Sequence, residues 1–235
     1  MSYTLRRPAG LLSAPGDELA RTIAARRFAL ALQPVVWLRD RVPDHAEALL
    51  RLLPPTTQPS RAFVAAAGEA GLGTALDAAV LAAAQTLSPT VSVNICARSL
   101  QSRDFVRTVL DAGVAMIELV RVDEIDDLAA VGGAIAELRA AGVRVALDDV
   151  DGATASLALL QAGRFDFVKL SGSVLHAAIA GKRGQMLLAA LLRLAETVGA
   201  RPIATKIETL PQLWAAERAG IELGQGWLLG APVQA

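Results

Sequence analysis

Short apolar segments rich in Val, Ile and Leu recur along the chain, and patterns with helical spacing lie between most of them. Apolar strands that alternate with helices are typical of a parallel sheet buried on both faces. The pattern therefore predicts an α/β protein with eight strands. The predicted strands are FALALQPVV (28–36), AEALLRL (46–52), VSVNI (91–95), AMIELV (115–120), VRVALDD (143–149), FDFVKL (165–170), RPIATKI (201–207) and ELGQGWL (222–228).

The number of units favours a closed barrel. Eight strands in 235 residues fit a modified (β/α)8 TIM-type barrel. An open doubly wound sheet is the alternative, because periodicity does not show closure. The link between the first two strands is too short for a parallel connection, which needs about a dozen residues, so the first strand is predicted to be antiparallel. Residues 1–16 are predicted to form a flexible N-terminal arm, and residues 17–235 the barrel domain.

The composition and charge of the chain indicate which kinds of partner are expected. The chain is 53% hydrophobic and 20% charged, which is enough for a large core. Lys+Arg and Asp+Glu are both 23, so the chain lacks the basic excess that is typical of proteins that bind nucleic acid polymers, and no such partner is expected. No apolar run reaches the roughly 18 residues that a membrane-spanning helix needs, so no membrane insertion is expected. The single cysteine, Cys96, excludes an internal disulfide, and we expect a cytoplasmic protein.

Polar residues lie within or at the end of the predicted strands. In a TIM-type barrel these strand ends face the active site. The adjacent Asp148 and Asp149 fit either a solvated turn or a metal site. Carboxylates gathered in one barrel mouth repel one another, and Mg²⁺, Mn²⁺ or Ca²⁺ bound by hard oxygen ligands would remove that repulsion. For Trp227, core packing is favoured over stacking on a base. The polar residues are Glu47, Asn94, Glu118, Asp148, Asp149, Lys169, Thr205 and Gln225.

The order of several short motifs resembles the EAL domain family, the bacterial cyclic-di-GMP phosphodiesterase module. LQPVV resembles the opening Gln-Pro strand of the family, EALLR its signature, ALDD its Asp-Asp motif and FVKL its Lys-Ile-Asp segment. VSVNICARSL, IELV, IATKIET and GQGWLLGAP follow its remaining segments in order. The resemblance covers about residues 20–233 and implies a (β/α)8 barrel with an antiparallel first strand.

The resemblance also implies roles for individual residues. In active family members, two divalent metals bind a water and polarise one phosphodiester, and the product is the linear dinucleotide pGpG. Lys169 corresponds to the family lysine near the attacking water. The implied ligand contacts are Gln33, Leu49, Arg51, Asp148 and Gln225, and the implied metal ligands are Glu47, Asn94, Glu118, Asp148 and Asp149.

Several positions depart from the family pattern. Thr205 and Lys206 stand where the family has a glutamate and a glycine, and threonine cannot supply the negative charge of the missing glutamate. Arg121 replaces a second glutamate, and Ser171 replaces the aspartate of Lys-Ile-Asp. The loop DVDGATASL stands where the family has Asp-Phe-Gly-Thr-Gly-Tyr-Ser-Ser-Leu. The general-base position is therefore lost at Thr205, and the catalytic role of Lys169 is predicted to be vestigial.

These departures predict a degenerate, catalytically inactive EAL domain that acts as a cyclic-di-GMP receptor and relays a signal to an unidentified protein partner. One alternative is a weak metal-dependent phosphodiesterase that produces pGpG, and another is a nucleotide-independent interaction scaffold. The retained Gln33 and Arg51 favour the receptor over the scaffold. The cofactor is expected to be Mg²⁺ or Mn²⁺, with Ca²⁺ also compatible, if the inherited site is occupied, and otherwise none. A homodimer is compatible with these features.

Overall fold

The described part of the chain, residues 15–54, 60–87 and 90–235, forms nine strands in this computed structural model. Eight strands close into a barrel in which the second to the eighth are parallel, and the first lies between the eighth and the second, antiparallel to both. This closure confirms the predicted barrel and excludes the open sheet. The strands are β1 (Phe28–Trp37), β2 (Pro43–Leu52), β3 (Val91–Cys96), β4 (Met116–Val120), β5 (Arg144–Val150), β6 (Phe167–Leu170), β7 (Arg201–Ala204), β8 (Leu223–Gly224) and β9 (Val233–Gln234).

Helices follow most of the strands. Strands β1 and β2 are joined by residues 38–42 alone, which is why this pair is antiparallel. The helices are α1 (Pro15–Ala24), α2 (Ser60–Glu69), α3 (Gly73–Ala84), α4 (Arg103–Ala112), α5 (Leu128–Ala140), α6 (Thr154–Ala162), α7 (Gly172–Ala180), α8 (Lys182–Thr197) and α9 (Leu210–Arg218), with short 3₁₀ turns at Ala97–Gln101 and Val122–Glu124.

Helix α1 begins two residues before the predicted domain boundary, at Pro15. The rest of the predicted arm, residues 1–14, lies outside the described residues.

Helices α4 and α7 were not predicted. Helix α4 carries ordinary capping signals, since the Ser102 side chain accepts a hydrogen bond from the Phe105 amide and Gly113 ends the helix in the left-handed conformation. Helix α7, GSVLHAAIA, is almost wholly apolar and has no amphipathic pattern. It packs closely on α8, because a Cβ at Gly184 would lie 1.9 Å from the Ala177 carbonyl oxygen.

The interior of the barrel is filled in layers. A lower apolar layer consists of the buried side chains Val35, Met116, Ala146, Phe167, Ile203 and Leu223. Because alternate residues of a strand point to the same face, the residue two positions nearer the mouth also points inward. That step leads from Met116 to Glu118 and from Phe167 to Lys169, so the apolar layer lies directly beneath the polar one.

Two of the predicted strands are shorter than expected. Strand β7 ends at Ala204 and β8 at Gly224, so Thr205, Lys206 and Gln225 lie just beyond the strand ends. Their side chains are thus carried by loop backbone at the mouth of the barrel. In the described residues, no helix is both long and apolar enough to cross a membrane.

Asp77 connects α3 to the end of β3. Its carboxylate oxygen Oδ2 accepts hydrogen bonds from the Cys96 amide at 3.0 Å and from the Ser99 hydroxyl at 2.6 Å. Burial raises the pKa of Asp77 to about 7, although these hydrogen bonds act to lower it. The side chain therefore releases its proton in the folded protein only near neutral pH.

We expect Asp77→Asn to stabilise the protein at pH 8 relative to pH 5. A raised pKa contributes stability that is present at low pH and is lost as the pH rises towards 7, and asparagine does not titrate. The relative gain should be about 2 kcal/mol, measured as free energy of unfolding in urea at both pH values. The exposed Asp111→Asn is the matched control and should show no such difference. Parallel pH profiles for the Asp77→Asn variant and the parent would contradict the assignment.

Candidate functional site

A cleft of about 1610 Å³ opens at the mouth of the barrel, above the polar layer. Most of the residues predicted from the sequence line it, and Glu118 lies beneath it, fully buried. The lining includes Gln33, Glu47, Leu49, Arg51, Asn94, Asp148, Asp149, Lys169, Thr205 and Gln225.

Strand β2 carries three of these side chains from the interior to the rim. Glu47, Leu49 and Arg51 alternate along the strand and become more exposed in that order. The register of β1 and β2 places Gln33 opposite Glu47, which brings the amide to the edge of the polar layer. The EALLR segment thus supplies one buried carboxylate, one half-buried apolar contact and one exposed guanidinium.

Lys169 is the centre of the polar layer. Its ammonium donates to Glu47 Oε2 at 2.8 Å and to Glu118 Oε2, and it lies 3.7 Å from Asp148 Oδ1. The side chain is only 1% exposed, so the three carboxylates surround it with little access to water. The lysine therefore neutralises part of a buried negative cluster, which we call the Lys169 cluster.

Polar neighbours brace the Lys169 cluster. Glu47 accepts hydrogen bonds from Asn94 Nδ2 at 2.5 Å and from Gln225 Nε2 at 2.7 Å. Ser92, which is not among the predicted site residues, donates a hydrogen bond to Glu118 at 2.5 Å. Ser92 lies two residues before Asn94 on β3, so the alternation of the strand would have revealed it.

The pKa values in the Lys169 cluster indicate an excess of negative charge. Burial, the charge of Glu47 and that of Asp148 raise the pKa of Glu118 to about 8, against the opposing effect of Lys169. Burial also raises the pKa of Asp148. Burial acts to raise that of Glu47 too, yet the charge of Lys169 holds it below its ordinary value. One ammonium is thus too little charge for three carboxylates.

Asp149 does not join the Lys169 cluster. The pairing of β5 with β6 is irregular between Leu147 and Val150, and Asp149 has φ +51° within that irregularity. Its carboxylate lies 3.3 Å from the ammonium of Lys206, and both side chains are 64% exposed. Partial burial raises the pKa of Asp149, but a hydrogen bond from Ser171 and the charges of Lys206 and Arg61 outweigh it and lower the pKa.

The residues that depart from the family pattern also have definite partners. The Thr205 hydroxyl donates to the Leu170 carbonyl oxygen at 2.8 Å, so it is held by backbone at the barrel wall. The Arg121 guanidinium donates to the Val64 carbonyl oxygen of α2 at 3.0 Å and pairs with Glu124. Neither side chain replaces the negative charge that a glutamate would bring.

The position of the Trp227 side chain differs from the prediction. Core packing was predicted, but the side chain is 67% exposed and lines the cleft. That prediction was wrong because β8 ends at Gly224 and Trp227 lies on the following loop. An exposed indole beside a polar cleft is suited to stacking on a nucleobase.

The donor chemistry of the cleft fits one divalent cation. When fully ionised, Glu47, Glu118 and Asp148 have three negative charges against the single positive charge of Lys169, and carboxylate oxygens are the ligands that Mg²⁺ and Mn²⁺ prefer. Asp149 would have to leave Lys206 to join them, so the donors do not fit a second cation. Among the residues that the structure describes, no three acidic, histidine or cysteine side chains are arranged as a metal site. The five-residue metal site stays a prediction.

A sequence model of the EAL domain family matches residues 17–232. The chain belongs to the EAL domain family. This confirms the resemblance drawn from its motifs. EAL domains generally depend on divalent metals, which agrees with the donor chemistry of the cleft.

Solved EAL structures share the fold. The EAL domain of FimX from Pseudomonas aeruginosa, solved bound to cyclic-di-GMP, has a TM-score of 0.81 and 23% identity, and the match covers 94% of this chain and 98% of that one. The PaMucR phosphodiesterase, solved as a cyclic-di-GMP complex, has a TM-score of 0.78 and 22% identity, covering 93% and 97%. At these identities the likeness shows the fold alone.

Sequence relatives extend beyond the single barrel. The signaling protein YkoW of Bacillus subtilis is 23% identical over 237 residues, and the match covers 92% of this chain. The domain spans only 29% of the length of YkoW.

Proposed function

We propose that this EAL domain is a cyclic-di-GMP receptor with little or no hydrolytic activity. The proposal rests on the side-chain contacts of Thr205 and Lys206, the two residues that follow β7. Thr205 is bound to the Leu170 carbonyl oxygen and Lys206 faces Asp149, so the positions that should supply a charged base and a second cation site supply neither.

The groups suited to a cyclic dinucleotide are still present in the cleft. Arg51 is exposed at the rim, where its guanidinium is available for a phosphate in a bidentate geometry. Trp227 offers an exposed ring for a guanine, and Leu49 an apolar contact. A ligand with two phosphates and two bases matches this combination of charge and flat apolar surface.

Binding does not require the hydrolytic groups. A residue that acts only on the transition state lowers the rate when it is lost, and the contacts to the ground state remain. FimX, solved with cyclic-di-GMP bound, and the PaMucR phosphodiesterase complex show that related barrels hold this nucleotide. The retained rim contacts support the same ligand here.

A receptor must pass its state to another protein. We propose an unidentified protein partner as the recipient, and YkoW is a relative that carries the name of a signaling protein. The homodimer and the cytoplasmic location stay predictions.

Arg51→Ala should weaken cyclic-di-GMP binding by roughly 1.5–3 kcal/mol, which is about 10- to 150-fold in Kd, because charge-assisted hydrogen bonds to a phosphate are lost. The affinity is measured by calorimetric titration. Arg51 is exposed and its one hydrogen bond in the structure is to its neighbour, the Leu50 carbonyl oxygen, so the fold should not change. Arg107→Ala on α4, exposed and outside the cleft, is the matched control.

The test of the function itself is titration of the parent protein with cyclic-di-GMP, in EDTA and in Mg²⁺ or Ca²⁺, followed by product analysis. Binding without turnover supports the receptor. Robust conversion to pGpG would replace it with the phosphodiesterase. No binding at high micromolar nucleotide would remove the receptor and favour the interaction scaffold.

A further inference from the structure

Lys206 is the cation that the structure places beside Asp149, at 3.3 Å from Nζ to Oδ1. Asp149 is one of the five predicted metal ligands, yet it is separated from the Lys169 cluster by the irregularity in β5. Arg61 adds a second positive charge in the neighbourhood of the same carboxylate. The region around Asp149 is therefore supplied with positive charge by the protein itself.

The backbone holds Lys206 in this place. Its side chain lies against Gly172, where an added Cβ would be 2.7 Å from Lys206 Cβ and 3.0 Å from Cδ. Only glycine at position 172 leaves room for the lysine stem along this path. Lys206 itself has φ +56°, a conformation that glycine adopts at lower cost. A backbone conformation that is costly for lysine, kept at the mouth of a cleft, is a sign of local function.

We propose that the ammonium of Lys206 substitutes for a second divalent cation at Asp149, so that the cleft takes at most one metal ion and meets a phosphate of the bound nucleotide with an amino-acid cation. The second cation site is the one that the EAL family pattern implies at Asp149, and the contact with a nucleotide phosphate rests on the proposed function.

The competing interpretation is an ordinary surface ion pair. Both side chains are 64% exposed, and exposed pairs contribute little to stability. Stability measurements cannot separate the two interpretations. They differ in the number of metal ions bound and in the nucleotide affinity without metal, because a mere surface pair affects neither.

The first experiment counts metal ions in the absence of nucleotide. Mn²⁺ is titrated into the full chain and the free ion is followed by electron paramagnetic resonance. We compare Thr205→Glu with Thr205→Glu/Lys206→Gly, which differ only at Lys206. The single variant should bind one Mn²⁺ per chain and the double variant two. Equal stoichiometry in the two variants, whether one or two, would overturn the substitution.

The second experiment measures cyclic-di-GMP affinity in EDTA. The parent should bind without metal, and Lys206→Met should bind roughly tenfold more weakly because a charged phosphate contact is lost. Lys182→Met, exposed on α8 and outside the cleft, is the matched control and should bind like the parent. Unchanged affinity in Lys206→Met would refute the phosphate contact.

The two experiments separate this inference from the proposed function. If the parent binds no nucleotide at all, the receptor fails, and the Mn²⁺ count still decides whether Lys206 takes the place of a cation. Circular dichroism establishes that each variant is folded. If a Lys206 variant does not fold, Lys206→Asn is used in its place, because asparagine tolerates a positive φ.

Discussion

Incubation of the parent protein with cyclic-di-GMP and Mg²⁺ or Mn²⁺ should yield no meaningful amount of pGpG. Hydrolysis needs a water made nucleophilic near neutral pH, which two cations together with a placed base supply in active members of the family. Thr205 is neutral and bonded to backbone, and Asp149 is paired with Lys206. The loss should amount to a few orders of magnitude, about 3–5 kcal/mol in the barrier, measured by chromatography of the products.

Thr205→Glu alone should restore little of this activity. The new carboxylate would lie next to Lys206, which remains beside Asp149 and offers the glutamate an ion pair. Arg121 is directed towards α2, so the structure gives Lys206 the larger part in the loss. We expect measurable turnover only when Lys206→Gly and the family loop after Asp149 are added.

The control for charge is Thr205→Gln in the same combined background, which has the size of glutamate without its negative charge and should stay inactive. Full recovery in Thr205→Glu alone would show that Lys206 and the loop matter little. Robust turnover by the parent would overturn the degenerate assignment outright.

Lys169→Met should lower the free energy of unfolding by about 3–5 kcal/mol near neutral pH, because removal of one partner leaves buried carboxylates without compensation. The ammonium contacts Glu47 and Glu118, which are nearly inaccessible to water, and lies close to the partly exposed Asp148. Methionine keeps most of the side-chain volume, so the effect reports charge. Urea unfolding measures it, with Lys182→Met as the exposed control.

Two further measurements test the cause of this loss. Glu118→Gln added to Lys169→Met should recover part of the stability, since one buried carboxylate is removed together with the lysine. Mg²⁺ should stabilise the Lys169→Met variant more than the parent, because a cation can take the place of the ammonium. A loss below about 1 kcal/mol in the single variant would mean that the Lys169 cluster is better hydrated than the structure shows.

Much of the fold followed from local patterns. Apolar segments separated by helical periodicity indicated the barrel, and the short link of residues 38–42 indicated the antiparallel first strand. Both are properties of neighbouring residues, and chain length limits the connections that are available. Helices α4 and α7 were not predicted, for different reasons: α4 is marked by its capping residues and not by the length of an apolar pattern, while α7 has no periodic pattern.

The motifs also predicted which residues gather at the mouth of the barrel. The side chains that do meet are Glu47, Asn94, Glu118, Asp148, Lys169 and Gln225, because each points into the barrel from within a strand or from just beyond its end. What the motifs could not supply is the partner of each group. Asp148 and Asp149 are adjacent in the chain, yet one faces Lys169 and the other Lys206, because the β5 irregularity turns them apart.

Other contacts in the cleft join residues that are distant in sequence. Lys206 reaches Asp149 across 57 positions along a path that Gly172 leaves open, and Thr205 bonds to a carbonyl 35 positions away. Trp227 is exposed because β8 is only two residues long. Motif order and strand alternation thus predicted which chemical groups gather at the mouth of the barrel. Only the packed backbone decided which of them neutralise one another, since ion pairing depends on distances that local sequence does not encode.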